Sequence, residues 1–202
     1  ASGARTQLTK HPDDREVFYR KPTWSPDGKH VLFIESDETH VKKRSVLIPT
    51  DPSYPQVQEH RFARVGGRIE KQRIGVVDHE GAAIRWLPIE SPAEGFYLGQ
   101  VEWAGEQEVL VEKLSRYRDK REFLLVNIES DQASCIFSET NKAWVDASQG
   151  RNWGLIWIGD GKQFIVISEK EGWRQAFLYS RDGNEIAVAS TLTKTLLNSQ
   201  VR

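Results

Sequence analysis

One pattern constrains this chain more than any other, because it is written three times. An aromatic strand, a turn rich in Gly and acidic residues, an apolar strand, a charged connection and a second apolar strand follow in fixed order. The first copy runs Trp24-Ser25-Pro26-Asp27-Gly28-Lys29, then Val31 to Glu35, Asp37-Glu38-Thr39, and Arg44 to Ile48. A second begins Val101-Glu102-Trp103-Ala104-Gly105-Glu106 and continues through Val109 to Val111, Arg116 to Arg121, and Phe123 to Ile128. The third begins Trp157-Ile158-Gly159-Asp160-Gly161-Lys162 and continues through Phe164 to Ser168, Glu169 to Gly172, and Trp173 to Tyr179. Paired apolar strands are 15, 15 and 12 residues apart within the copies, whereas the copies stand 79 and 54 apart, counted between Trp24, Trp103 and Trp157.

Hairpins of near-constant size inside repeats of unequal length suit propeller blades that carry loop insertions. The expected fold class is all-β: a partial β-propeller of about three blades, each of four antiparallel strands, at approximately 22–90, 96–143 and 144–193. The long first interval holds an insertion at Thr50 to Pro55 and a further strand at Lys71 to Asp78. A blade has two apolar faces that its neighbours must cover, so Trp24, Trp103 and Trp157 are expected to pack between sheets. Asp27-Gly28 and Asp160-Gly161 supply the positive φ that the following turns need. Three blades do not close a ring, so two apolar faces are expected to stay open and the isolated chain to self-associate.

Charge excludes one class of function. Lys and Arg number 28 against 29 Asp and Glu, a formal net charge of −1, so this is not a counterion-driven nucleic-acid binder. Its best basic run, Arg116 to Arg121, is diluted by Asp119 and reads as a solvated hairpin tip. No apolar run approaches the roughly 18 residues that span a bilayer. The single Cys135 forms neither an internal disulfide nor a thiolate cluster, and reads as a small buried hydrophobe in a strand. His79, between Asp78 and Glu80, reads as a turn rather than a metal ligand set, because adjacent residues of a strand point to alternate faces. Gly66-Gly67 lacks the Lys-Ser/Thr of a phosphate loop. No metal or cofactor is therefore expected. With no Met at its start, the chain reads as a piece of a longer protein.

Trp24-Ser25-Pro26-Asp27-Gly28 resembles the repeat element of TolB-like and prolyl-oligopeptidase-type propellers. A more specific set follows in order: Tyr54-Pro55, Arg61-Phe62-Ala63-Arg64-Val65-Gly66-Gly67, Trp144-Val145-Asp146, and Ser168-Glu169-Lys170-Glu171-Gly172-Trp173-Arg174 leading to Tyr179. Over roughly residues 13 to 193, this set resembles the amino-terminal propeller of the dipeptidyl peptidase IV family of serine peptidases. The resemblance implies an oligomeric, periplasmic or secreted exopeptidase that removes dipeptides from peptide amino termini. Its partners would be the peptide and its own carboxy-terminal α/β-hydrolase domain, which this chain does not contain. No Ser stands in a G-x-S-x-G elbow and all five His lie in the first 80 residues, so no catalytic residue is assigned here. The chain alone is expected to gate and position the peptide, and the parent protein to be the enzyme.

In that family an acidic pair shortly before the W-S-P-x-G element grips the substrate α-ammonium. His11-Pro12-Asp13-Asp14-Arg15-Glu16-Val17-Phe18 stands at that place but lacks the family's D-W-V-Y lead. Counting back from Trp24 selects Asp13 and Asp14, and matching Glu-Val-Phe selects Asp14 and Glu16. An exposed acidic turn partnered by Arg15 is the structural alternative. At the level of function, the alternative is a TolB-like interaction propeller with no hydrolase.

Overall fold

The computed structural model describes residues 7–10, 16–51, 53–81, 83–147 and 154–188, and every regular element in them is a β-strand. Three four-stranded antiparallel sheets follow one another along the chain. The first contains β1 (Val17–Trp24), β2 (His30–Asp37), β5 (Lys71–Asp78) and β6 (Arg85–Trp86), in that spatial order. Between β2 and β5 the chain leaves the sheet as a separate two-stranded arm, β3 (Lys43–Ile48) paired with β4 (Gln56–Arg61). The second sheet is β7 (Phe96–Trp103), β8 (Glu108–Ser115), β9 (Lys120–Asn127) and β10 (Ala133–Thr140). β11 (Leu155–Ile158), β12 (Gln163–Ser168), β13 (Gln175–Ser180) and β14 (Glu185–Val188) make the third. Adjacent strands run in a meander in each sheet, as propeller blades require, with the β3–β4 arm inserted into the β2–β5 connection of the first.

Side-chain alternation stacks the sheets. Val109 and Val111 of β8 pack with Leu32, Ile74 and Val76 of the first sheet, whereas Leu110 between them packs with Phe164, Val166 and Phe177 of the third. The middle sheet is thus covered on both faces, which explains its nearly continuous apolar run at Val109 to Val111. Each fully buried Phe or Leu in these interfaces contributes roughly 1.5–3 kcal/mol by leaving water.

The two outer faces differ. On the first sheet Phe33 is buried, because Tyr19 and Trp86 close over it at ring separations of 4.7 and 5.9 Å. Arg73 lies over Trp86 at 3.6 Å and donates to Glu35 at 2.5 Å, capping that face with a paired charge. The third sheet instead aligns Ile156, Ile165 and Leu178 in register on its outer face, with Ile156 half-exposed.

Four expectations are corrected. Arg44 to Ile48 does not enter the first sheet; it forms the arm, and β5 takes its place beside β2. Trp103 and Trp157 pack against the two interfaces, but Trp24 is 57% exposed. The packing Trp residues lean on the preceding sheet, as when Trp103 Nε1 donates to the Thr23 carbonyl at 3.1 Å, and among the described residues no sheet precedes the first. Cys135 is in a strand yet exposed, because β10 is the outermost strand of its sheet. Arg121, placed by sequence in a solvated tip, is fully buried. Its guanidinium donates to Glu112 at 2.7 Å and to Glu139 at 3.2 Å, and lies over Phe123.

The turns follow their chemistry. Ser25 Oγ donates to Asp27 Oδ1 at 2.6 Å, the Lys29 N–H donates to the same oxygen at 3.1 Å, and Gly28 sits at φ 70°. These bonds hold the Asp27 carboxyl down at about 2.

Candidate functional site

Glu16, the last residue before β1, lies in an acidic corner assembled from three distant parts of the chain. The Glu38 N–H donates to the Glu16 carbonyl at 2.9 Å, which brings the β2–β3 connection against the start of β1. Glu70, the residue before β5, accepts from Arg20 Nη2 at 3.0 Å and from Gln72 Nε2 at 2.8 Å. Gln72 in turn accepts the Leu98 N–H at 3.1 Å, tying this corner to the second sheet. His40 Nε2 is 2.7 Å from the Ile69 carbonyl and clamps the β2–β3 connection beside Glu70.

Local backbone chemistry shapes the corner. The register of β1 against β2 shifts between Arg20 and Thr23, and Lys21 within that bulge has φ 53°. Such a bulge re-aims the strand and its side chains, and Arg20 lies on its edge, pointing to Glu70. At the base of the arm, Arg61 Nη1 donates to the Thr39 and Val41 carbonyls at 2.9 and 2.5 Å, while its Nε lies 3.2 Å from Glu16 Oε2. Lys43 approaches the other Glu16 oxygen at 3.8 Å.

These contacts divide the carboxylates by role. Glu16 is held by Arg61 and Lys43 and Glu70 by Arg20, whereas Glu38 makes no ion pair among the described residues and feels the charge of both acids. Burial, followed by the Glu70 and Glu16 charges, raises the Glu38 carboxyl above its ordinary range, against the opposing pull of Arg20 and Arg61. A carboxylate that is partly desolvated and crowded by like charges is relieved by an incoming cation, and an ammonium supplies three donors for it.

Of the three residues selected from sequence, Glu16 is at the corner, and Asp13 and Asp14 lie outside the described residues. Glu38 and Glu70 were not selected. Glu38 read as part of a charged connection, and no spacing among positions 16, 38 and 70 signals that the register of β2 on β5 brings them together.

The family profile described as "Dipeptidyl peptidase IV (DPP IV) N-terminal region" matches residues 14–198. A probable dipeptidyl peptidase 4 of Trichophyton verrucosum is 26% identical over 192 residues, covering 88% of this chain and 25% of that protein. An inactive dipeptidyl peptidase 10 of Rattus norvegicus is 23% identical over 161 residues, covering 76% of this chain and 20% of that protein. Among solved structures, Porphyromonas gingivalis dipeptidyl peptidase 4 superposes with a TM-score of 0.79 at 20% identity, over 91% of this chain and 28% of that one. A putative dipeptidyl aminopeptidase IV from Bacteroides ovatus gives 0.72 at 17% identity, over 87% and 26%. The structural likeness bears on fold, and the chain spans about a quarter of the length of these relatives.

Proposed function

The chain belongs to the dipeptidyl peptidase IV N-terminal-region family, and from that membership we propose that it is the propeller portion of a dipeptidyl peptidase IV-like serine exopeptidase, gating and positioning the peptide amino terminus. In this reading the chemistry of peptide hydrolysis belongs to a separate α/β-hydrolase domain. The observation that carries the proposal is the acidic corner at the start of β1, where Glu16 and Glu38 meet directly ahead of the Trp24-Ser25-Pro26-Asp27-Gly28 hairpin. An α-ammonium held there fixes how far the peptide extends beyond the corner, and so which bond reaches a nucleophile. Asp13 and Asp14 join the corner as proposed ligands on sequence grounds alone.

The same proposal includes a periplasmic or secreted setting, and an oligomer built through the β3–β4 arm. Leu47 and Val57, opposite each other across that arm, are both 63% exposed, and Tyr54 at its tip is 79% exposed. Cell fractionation tests the setting, and sedimentation of a Leu47→Asp variant tests the oligomer.

The kinetic test uses the parent protein with a chromogenic dipeptidyl substrate. Glu38→Gln and Glu16→Gln should raise KM at least about tenfold, the worth of one good charge-assisted hydrogen bond. Unchanged KM in both variants contradicts the assignment. One observation favours a second reading, a propeller that binds peptides or proteins without cleavage: a matching relative is itself called inactive. No dipeptide release by the parent protein, with peptide binding intact, would select that reading.

A further inference from the structure

A cleft of about 850 Å³ opens where the β3–β4 arm leaves the first sheet, and the charged side chains described along it are all basic. Lys42, Lys43, Arg44, Arg64 and Arg68 line it together with His40, and among the described residues no Asp or Glu does. Lys43 lies near an acid, Glu16, at 3.8 Å. Lys42, Arg64 and Arg68 are exposed and make no ion pair among the described residues. Arg44 lies over the Phe62 ring at 5.5 Å, and Phe62 is 49% exposed. In a chain of net charge −1, this concentration of positive charge focuses a field that selects an anion.

The shape of the cleft decides what kind of anion. A single phosphate is ordinarily cradled by converging backbone N–H groups. Here the turn that would supply them is closed on itself, since the Gly67 N–H donates to the Arg64 carbonyl at 2.8 Å. The cations instead come from two segments of the chain, Lys42 to Arg44 and Arg64 to Arg68, and Phe62 and Val65 add apolar surface to the same lining. That arrangement suits several carboxylates spaced along an extended chain, with aliphatic stems resting on the apolar surface.

We propose that this cleft is a binding site for an acidic peptide segment carrying several Asp or Glu side chains. It adjoins the acidic corner through Lys43 and His40 but presents the opposite charge, and it does not depend on the peptidase reading.

Fluorescence anisotropy of a labelled hexaglutamate peptide, titrated with the 202-residue chain, tests it. Saturable binding is expected, weakening as salt is raised through about 0.15 M, where the Debye length is near 8 Å. Arg64→Ala/Arg68→Ala should weaken binding about tenfold, the combined worth of two exposed ion pairs, while Lys142→Ala, an exposed lysine elsewhere, leaves it unchanged. Circular dichroism confirms that each variant is folded, and the single Arg64→Glu variant provides a second reading at one position. Binding of equal strength in the double variant, or no saturable binding, overturns the proposal. So does displacement of the peptide by millimolar inorganic phosphate, which would make this a simple anion site. Binding of heparin without hexaglutamate would reassign it to a sulfated polysaccharide, and loss of self-association in the double variant without any peptide effect would reassign it to a second copy of the chain.

Discussion

Replacing the buried Arg121 with Ala should cost this protein more than truncating any side chain at its surface or in its turns. Arg121 is the largest fully buried side chain among the described residues, and its guanidinium bridges Glu112 on β8 and Glu139 on β10 while also reaching the Ile167 carbonyl of the third sheet at 3.3 Å. The Glu112 and Glu139 side chains are only 8% and 6% exposed, so removing the cation strands two carboxylates out of water. Breaking a buried pair in this way costs about 3–5 kcal/mol, against a total stability of about 5–15 kcal/mol for a folded domain. At about 2–4 °C per kcal/mol for a chain of this size, the melting temperature should fall by about 10 °C. Part of this is the stranding and not the loss of attraction. Glu112→Gln in the Arg121→Ala background should therefore recover part of the loss, and the double-mutant cycle measures the coupling. Differential scanning calorimetry on the four proteins is the assay. A fall of less than about 2 °C for Arg121→Ala would refute the claim that this network is closed to water.

Three further outcomes follow from the same physics. Gly183 sits at φ 91° and a Cβ there would lie 2.4 Å from the Ile136 carbonyl oxygen, so Gly183→Ala should lose about 2 kcal/mol or more in a denaturant titration; a neutral result would contradict the turn geometry. The Asp27 carboxyl is depressed to about 2 from an ordinary 3.8, so its contribution is present above the unfolded value and is lost as pH falls from about 4 to 2. The melting-temperature gap between the parent protein and Asp27→Asn should accordingly narrow across that window, and a gap that widens toward acid would contradict the sign. Because the Glu38 carboxyl is raised, binding of a free-amino peptide should strengthen with pH in a range above the ordinary carboxylate midpoint, and the Glu38→Gln variant should show a flatter profile.

Much of the architecture was readable because propeller blades repeat a burial problem. The spacing of Val109 and Ile165 from their partner strands identified two of the hairpins, and the Asp-Gly pairs identified turns that the backbone confirms at Gly28 and Gly161. Misreadings fell where a residue's environment is set by a neighbour that local sequence does not specify. Arg44 to Ile48 carries the apolar run of a sheet strand, yet it pairs in the arm with β4, and Lys71 to Asp78 is the partner of β2. Arg121 sits in a basic run, and only the facing of β8, β9 and β10 reveals two buried acids waiting for it. Trp24 holds the same place in its repeat as Trp103, and among the described residues no preceding sheet covers it. For the site, the position of Glu16 ahead of the first hairpin was readable from order along the chain, whereas Glu38 and Glu70 join it only through tertiary register.

The most direct test of the central claim is calorimetric titration of the 202-residue chain with a short peptide bearing a free amino terminus, and with the same peptide N-acetylated. The acidic corner predicts binding of the free peptide, at least about tenfold loss on acetylation because the charged donor is gone, and the same loss for the free peptide in Glu16→Gln/Glu38→Gln. Equal affinity for the free and acetylated peptides, with the double variant indistinguishable from the parent protein, would contradict it.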